Sequence, residues 1–257
     1  MPTGPLPMNT CQNKCVLKVL GVTKEYNHKN IIQNINIHLN QGEFVSILGP
    51  SGCGKSTLFN VIAGLLPPED GQVFVNEKEV TGETGKVSYM YQKDLLLPWR
   101  NVIDNAILPL EIRGIPKKEA RETVKAMLSI FQLADDGKKY PIQLSGGMKQ
   151  RVSLLRTTMF SQEIMLLDEP FGGLDAITRM KMQAYLLEIL NKIKGSVLFI
   201  THDIDEAIFL SDRIYIINGS PAQIVSEMVV PIKHASPEEM MTAEALRQLR
   251  SDILKCL

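Results

Sequence analysis

EFVSILGPSGCGKSTLFNVIAGLL, residues Glu43–Leu66, decides the fold of this chain. Its first part is a short apolar run that ends at Gly49, and KSTLFNVIAGLL continues with the apolar spacing of a helix. Between them, the residues from Gly49 to Ser56 fit G-x-x-x-x-G-K-[ST], a pattern that requires a strand before it and a helix after it. The stretch therefore predicts a strand, a glycine-rich turn and a helix.

The glycine-rich turn predicts a site for nucleotide phosphates. Its glycines let backbone amides converge on a phosphate, and the start of the helix adds a favourable dipole. In this pattern Lys55 reaches the β- and γ-phosphate oxygens, and the hydroxyl of Ser56 ligates Mg²⁺. We interpret Cys53 as a small spacer. The predicted nucleotide contacts, together called the phosphate loop, are Gly49, Pro50, Ser51, Gly52, Cys53, Gly54, Lys55, Ser56 and Thr57.

Three other apolar runs end in polar side chains. IMLLDEP ends in Asp168 and Glu169, SVLFITHD places His202 after its apolar residues, and Gln92 follows the short run SYMY. Ligands of open α/β sheets bind at the carboxyl ends of the strands, so we expect these side chains beside the phosphate loop. Asp168 and Gln92 are predicted to hold Mg²⁺. Glu169 is predicted to polarise the attacking water, and His202 to contact the γ-phosphate.

The order of elements predicts an α/β fold. Strands and helices alternate after residue 160, and the strands are continuous apolar runs, which favours a parallel sheet covered on both faces. VLKVLGVTKEY and IIQNINIHL alternate as strands of an antiparallel β layer, and residues 95–160 are predicted to form an inserted helical subdomain. We expect a flexible leader at 1–14, the main domain at 15–230 and a short helical extension at 231–257.

Composition limits the possible functions. Lys and Arg total 28 and Asp and Glu total 28, with a pI near 6.9, so no general nucleic-acid binding is expected. The four cysteines form no disulfide-like framework, which favours a reducing cytosol. The sequence has no secretory signal pattern and no apolar run of about eighteen residues, so we expect a soluble chain.

A second glycine pair lies in LSGGMKQR, residues Leu144–Arg151, which we call the signature segment. Ser145, Gly146 and Gly147 precede a helical pattern and so resemble a phosphate-binding helix start. The LSGG tetrad has no lysine, however, and does not make a complete second phosphate site. One ATP needs a single cradle, which leaves open what these residues cap.

The motifs GPSGCGKST, YQ, LSGGMKQR, IMLLDEP, GGLD and THD, in that order, resemble those of the ATP-binding-cassette (ABC) ATPases over nearly the whole chain. The resemblance implies Mg²⁺-dependent ATP hydrolysis by a head-to-tail dimer, formed with a second copy or a similar chain. In that dimer, Ser145, Gly146 and Gly147 cap the γ-phosphate of an ATP held by the partner. The resemblance also implies that Asp175 lies in the nucleotide site and that Tyr26 stacks on adenine.

More narrowly, LLLPWRNVIDN, FGGLDAITR and THDIDEAIFLSDRI are similar to cassette subunits of nitrate, sulfonate and taurine importers. This similarity implies a peripheral subunit at the cytoplasmic face of the cell membrane, bound to transmembrane permease subunits and served indirectly by an extracellular solute-binding protein. The solute would be small and anionic: nitrate, a sulfonate, taurine, bicarbonate or a similar molecule. Leu97, Pro98 and Trp99 would then lie near the groove that receives the permease. Gly173 departs from the family pattern and is expected to loosen communication across the dimer.

Other uses of the same cassette remain as alternatives. An exporter would have the same ATPase chemistry with different partners, and an iron-sulfur assembly ATPase would act without a membrane. A DNA-repair cassette is disfavoured because the chain has no long coiled-coil insertion and carries zero net charge. The LPW and DEA contexts favour transport.

Overall fold

The computed structural model describes residues 14–161, 163–232, 239 and 242–257. The strands are β1 Cys15–Tyr26, β2 Lys29–Asn40, β3 Phe44–Leu48, β4 Asp70–Val75, β5 Lys78–Glu79, β6 Ser88–Met90, β7 Ile164–Asp168, β8 Ser196–Thr201, β9 Arg213–Gly219 and β10 Ala222–Val229. The helices are α1 Lys55–Ile62, α2 Val102–Ala106, α3 Leu108–Ile112, α4 Lys117–Leu128, α5 Gly146–Phe160, α6 Ala176–Ile193, α7 Ile204–Leu210 and α8 Glu244–Cys256, with a 3₁₀ turn at Pro141–Gln143.

All ten strands join in one hydrogen-bonded order, β5-β4-β1-β2-β10-β9-β3-β8-β7-β6. The half from β9 to β6 is parallel, as the continuous apolar strands predict. β1 pairs antiparallel with β2 and β4, which confirms the predicted antiparallel layer. The two halves connect through β10, which is antiparallel to β9 and meets β2 at the pair Ala222 and Ile32.

The parallel strands are buried on both faces, and successive residues face two different cores. In β8, Val197 and Phe199 pack with the helices α2–α6, whereas Leu198 and Ile200 pack with α1 and the antiparallel strands. A third apolar cluster joins α7 and α8 to β9. This burial on both faces fixes the register of each strand in the sheet. It therefore also fixes the position of the side chain that follows the strand's last residue.

Helices α2–α5 form the connection between β6 and β7, in the region predicted to be a helical subdomain. Residues 1–13 of the predicted leader lie outside the described residues. So do residues 233–238, 240 and 241 of the predicted C-terminal extension, whose described part contains α8. Within the described ranges, no helix is both long and apolar enough to cross a membrane.

Candidate functional site

The phosphate loop connects β3 to α1, as predicted. Gly54 precedes the first turn of α1 and has φ 109°, a conformation that a residue with a Cβ rarely adopts. At Gly49, an added Cβ would lie 2.3 Å from the carbonyl oxygen of Ile217 in β9. Gly49 is therefore required by close packing against the neighbouring strand, and Gly54 is required by the turn itself.

Lys55 lies inside the phosphate loop and not on the surface. Its side chain is buried, and Nζ donates to the carbonyl oxygens of Gly49 at 2.9 Å and Pro50 at 2.7 Å. Sγ of Cys53 lies 4.0 Å from Nζ of Lys55. Burial raises the pKa of the Cys53 thiol, which favours the protonated form and agrees with its interpretation as a spacer.

Asp168 is the last residue of β7 and is buried. Burial raises the pKa of its carboxyl group, while hydrogen bonds from Ser56 and Tyr89 act in the opposite direction. The phenol of Tyr89 in β6 donates to Oδ2 of Asp168 at 3.3 Å. Ser56 of the phosphate loop therefore lies near Asp168, which is compatible with a shared Mg²⁺. Tyr89 was not among the predicted site residues, although it lies in the run SYMY that precedes Gln92.

Two of the predicted site residues contact the same carboxylate oxygen of Glu169. Nε2 of Gln92 donates to Oε2 of Glu169 at 3.2 Å, and Nδ1 of His202 lies 3.2 Å from the same atom. The parallel register explains the meeting, because β6, β7 and β8 end at the same edge, with Asp168 level with Ile200. Two side chains far apart in sequence, Gln92 and His202, are therefore held at the carboxylate of Glu169.

The backbone of Glu169 is in the left-handed region, with φ 42°. Such a conformation costs about 1–3 kcal/mol for a residue other than glycine, and it persists only where neighbours hold it. Here the amide of Glu169 donates to the carbonyl of Ile200 at 3.0 Å, and its carbonyl accepts from Gly172 at 3.0 Å. These bonds turn the chain sharply after Asp168, so the two adjacent carboxylates point to different neighbours.

The signature segment begins α5. Oγ of Ser145 caps the helix by accepting from the amide of Met148 at 3.3 Å. A Cβ at Gly146 would lie 3.4 Å from Leu174, and one at Gly147 would lie 3.3 Å from Thr178. The two glycines therefore lie close to the start of α6 and the loop before it.

Asp175 caps α6, with Oδ1 accepting from the amide of Thr178 at 3.0 Å. The side chain of Thr178, together with this amide, lowers the pKa of Asp175. Tyr26 ends β1 with 45% of its surface exposed, and Nζ of Lys24 lies 5.8 Å from its ring centre. Within the described part of the chain, no hydrogen bond or ring contact joins Tyr26 to the phosphate loop. Trp99 is 72% exposed, next to exposed Pro98 and half-buried Leu97.

A parallel sheet with a phosphate loop and acidic strand ends at one edge defines a P-loop nucleotide hydrolase. The family profile described as ABC transporter matches residues 32–172. The chain belongs to the ABC transporter family and is an ATPase of that family.

Similar proteins cover most of the chain. An uncharacterized ABC transporter ATP-binding protein of Methanocaldococcus jannaschii is 42% identical over 95% of this chain and 92% of its own length. The taurine import ATP-binding protein TauB of Escherichia coli O157:H7 is 37% identical, covering 92% and 91% of the two chains. The aliphatic sulfonates import ATP-binding protein SsuB of Bacillus thuringiensis is 37% identical, covering 91% and 90%.

A solved ATP-binding cassette, in a dimeric post-hydrolysis state bound to ADP and Pi, is similar with a TM-score of 0.72 and 30% identity. That similarity covers 84% of this chain and 99% of the solved one. The family and this neighbour together agree with the predicted class of fold and with binding of ATP.

Proposed function

We propose that this chain is the ATP-hydrolysing subunit of an importer for a small anionic solute, with sulfonates such as taurine as the first candidates. The relatives TauB, a taurine import protein, and SsuB, an aliphatic sulfonates import protein, support import of this solute class. The motifs that favour transport in the sequence lie within the region that those relatives match. An exporter or a soluble assembly ATPase has no comparable support.

The residues of the site fit ATP and Mg²⁺. The phosphate loop provides converging amides and a buried lysine whose ammonium already lies among loop carbonyls, within reach of the β- and γ-phosphates. Ser56, Asp168 and Gln92 supply the oxygen ligands that a hard cation prefers, and the nearby Ser56 hydroxyl lowers the pKa of Asp168. When bound, Mg²⁺ neutralises charge on the β- and γ-phosphate oxygens.

The convergence at Oε2 of Glu169 carries the proposed chemistry. A water molecule held by this carboxylate is polarised for in-line attack on the γ-phosphorus, so that its oxygen forms the new P–O bond as the bond to the β-phosphate oxygen breaks. Gln92 and His202, both 3.2 Å from Oε2, orient the carboxylate. His202, with 55% of its side chain exposed, is placed to contact the γ-phosphate.

The proposed assembly is a head-to-tail dimer bound to permease subunits at the cytoplasmic face of the membrane, with no role for nucleic acid. The dimeric solved cassette supports the ATPase pairing. In this assembly Ser145, Gly146 and Gly147 complete the ATP site of the partner, Tyr26 stacks on adenine and Asp175 faces the shared interface. Exposed Trp99 is a candidate anchor for the permease, and a solute-binding protein delivers the solute from outside.

Substitution of Glu169 by Gln tests the chemistry. Gln keeps the shape and can hydrogen-bond Gln92 and His202, but it is a poor acceptor for the proton of water. We expect ATP binding to be retained and hydrolysis to fall at least about a hundredfold, within the range of a lost general base. Phosphate release and equilibrium ATP binding measure the two quantities. Near-normal hydrolysis would remove Glu169 from this role.

The transport role is tested by purifying the tagged chain in mild detergent from its native cells and identifying what accompanies it by mass spectrometry. We expect a protein with several membrane spans, and taurine or another sulfonate should stimulate ATP hydrolysis once that complex and its binding protein are reconstituted. Recovery of only soluble assembly proteins would contradict the transport role and leave the ATPase chemistry in place.

A further inference from the structure

A buried carboxylate lies directly behind the turn that presents His202. Glu206 of α7 is 7% exposed, and its Oε2 accepts from the hydroxyl of Thr201 at 2.7 Å. The same hydroxyl accepts from the amide of Asp203 at 3.0 Å. Thr201 and Asp203 flank His202 in sequence, and we call residues Thr201–Asp203 the histidine turn. Glu206 therefore helps to hold the conformation of this turn through the hydroxyl of Thr201.

The other oxygen of Glu206 faces α6. Oε1 accepts from Nε2 of Gln183 at 3.1 Å and lies 3.8 Å from Nε of Arg179. Burial raises the pKa of Glu206, and the contacts with Thr201, Gln183 and Arg179 oppose that effect. A carboxylate with this many donors is held in one orientation, which makes it a rigid link between α6 and the histidine turn.

Arg179 extends the link to a second loop. Its Nη2 donates to the carbonyl of Leu174 at 3.3 Å, and its Nη1 lies 3.6 Å from Oδ2 of Asp203. Leu174 precedes Asp175 in the segment Gly172–Asp175, which we call the aspartate loop. One guanidinium group therefore contacts both the loop that carries Asp175 and the turn that carries His202.

The side-chain contacts of Arg179 are all long, and its buried Nε has no hydrogen-bond partner among the residues that the structure describes. This guanidinium has unused donors beside two carboxylates and a carbonyl. With little side-chain movement it can shorten its contacts either with Asp203 and Glu206 or with the carbonyl of Leu174. This incomplete bonding distinguishes Arg179 from a saturated structural ion pair, such as the bidentate pair of Arg121 with Asp104.

We propose that Arg179 and Glu206 are positioning residues that couple the histidine turn to the aspartate loop, so that contact of His202 with Glu169 and the placement of Asp175 change together. This inference rests on the roles proposed above for His202 and Asp175. Within the described residues, neither Arg179 nor Glu206 hydrogen-bonds the phosphate loop. The coupling therefore acts on the hydrolytic step and not on ATP affinity.

The test measures kcat and KM for ATP, the Kd for ATP and the Tm of the full chain in six variants. Arg179→Met and Thr201→Val each remove one end of the link, and a double variant removes both. We expect each single substitution to lower kcat about tenfold or more, since small displacements of a reacting group have effects of this size. Kd and KM should stay within about twofold, because uniform binding is untouched. The double variant should be no slower than the slower single variant.

Arg179→Lys separates positioning from charge. Lys keeps a cation beside Glu206 but has no planar fork to reach the carbonyl of Leu174 as well. We expect Arg179→Lys to have a Tm close to that of the wild type and a kcat as low as that of Arg179→Met. Lys181→Met, which removes an exposed positive charge from the same helix, should leave kcat and Tm unchanged.

Several results would overturn the inference: full kcat in Arg179→Met, recovery of kcat in Arg179→Lys, or effects of the two single substitutions that multiply in the double variant. His202→Ala in the same assay separates this failure from that of the proposed function. If His202→Ala loses hydrolysis and Arg179→Met does not, only the coupling is wrong. If His202→Ala hydrolyses ATP normally, its proposed role is wrong and the coupling falls with it.

Discussion

At the residue scale, the site depends on two adjacent carboxylates in different environments. Asp168 is buried beside Ser56 and Tyr89, whereas Glu169 is turned away by its left-handed backbone toward Gln92 and His202. Two like charges next to each other in sequence would repel if both faced the same point. The turn at Glu169 thus separates the two carboxylates, as their proposed roles at the cation and at the attacking water require.

Tyr89→Phe tests how far the phenol holds Asp168 ionised. Since the hydrogen bond from Tyr89 lowers the raised pKa of Asp168, its removal lets that pKa rise further. Asp168 then takes up a proton at a higher pH as the solution is acidified, so the acid limb of ATPase activity should shift to higher pH. At neutral pH, the Mg²⁺ needed for half-maximal rate should increase about fivefold, equivalent to ~1 kcal/mol for one hydrogen bond.

Tyr91→Phe is the matched control. Tyr91 stacks on Tyr89 with ring centres 4.1 Å apart, so both substitutions keep a phenyl ring in the same stack and remove one hydroxyl. Of these two hydroxyls, that of Tyr89 donates to Asp168, and no hydrogen bond joins Tyr91 to Asp168 within the described residues. Equal pH profiles and equal Mg²⁺ requirements for the two variants would show that the phenol of Tyr89 does not act on Asp168.

At the element scale, α8 supports the helix that follows the histidine turn. Leu246, Leu249 and Ile253 form one buried face of α8 and pack with α7 and β9. Arg250 on α8 forms an ion pair with Asp205 on α7. Residues 242–257 are therefore part of the packing that stabilises α7.

Ile253→Ala should lower the free energy of unfolding by about 3 kcal/mol, the usual effect of removing a fully buried aliphatic side chain. Urea denaturation measures this loss. Leu254→Ala is the control. Leu254 follows Ile253 on the same helix but is 59% exposed, so its substitution should change stability by less than about 0.5 kcal/mol. If both variants lost the same stability, the packing of α8 described here would be wrong.

The elements differ in how far the sequence predicts them. β3, β7 and β8 are short apolar runs followed by polar residues, so both their buried positions and the location of Asp168, Glu169 and His202 follow from local pattern. The junction of β10 with β2 was not predicted, because it rests on one long-range pair, Ala222 with Ile32, that no local pattern encodes. The contacts of Tyr89 and Arg179 were missed for the same reason: each depends on how distant elements pack.

At the scale of the whole molecule, a buried ion network joins the two halves of the sheet away from the nucleotide edge. Arg213, the first residue of β9, bonds Glu43 before β3, Glu227 on β10 and the carbonyl of His38 on β2. Burial alone would lower the pKa of Arg213, but its hydrogen bonds to Glu43 and Glu227 raise it above its usual value. Arg213 and Glu43 are the buried members of this network, and Glu227 is 45% exposed. Removing Glu43 would leave the guanidinium of Arg213 buried with less compensation, which makes the network a strong constraint on how the halves meet.

In the proposed dimer, the phosphate loop and the signature segment of one chain belong to two different ATP sites, and this separation leads to a prediction about pairs of chains. Glu169→Gln removes the proposed water-polarising group, and Ser145→Ala removes the hydroxyl that starts α5. Each variant alone should hydrolyse ATP at less than about a tenth of the wild-type rate. In a head-to-tail dimer, the two substitutions of a mixed pair fall in the same composite site, which leaves the other site intact.

Mixing the two inactive variants before ATP is added should therefore restore hydrolysis. Half of the dimers formed at random are mixed and each has one intact site, so the activity should reach about a quarter of wild type. The recovery should increase and then fall as the ratio of the variants is varied, with its maximum at equal amounts. If each chain completed its own site, every chain in the mixture would still carry one lesion and no recovery would occur at any ratio. Phosphate release across the ratio series thus distinguishes a shared site from two independent ones, because only shared sites allow one chain to supply what the other lacks.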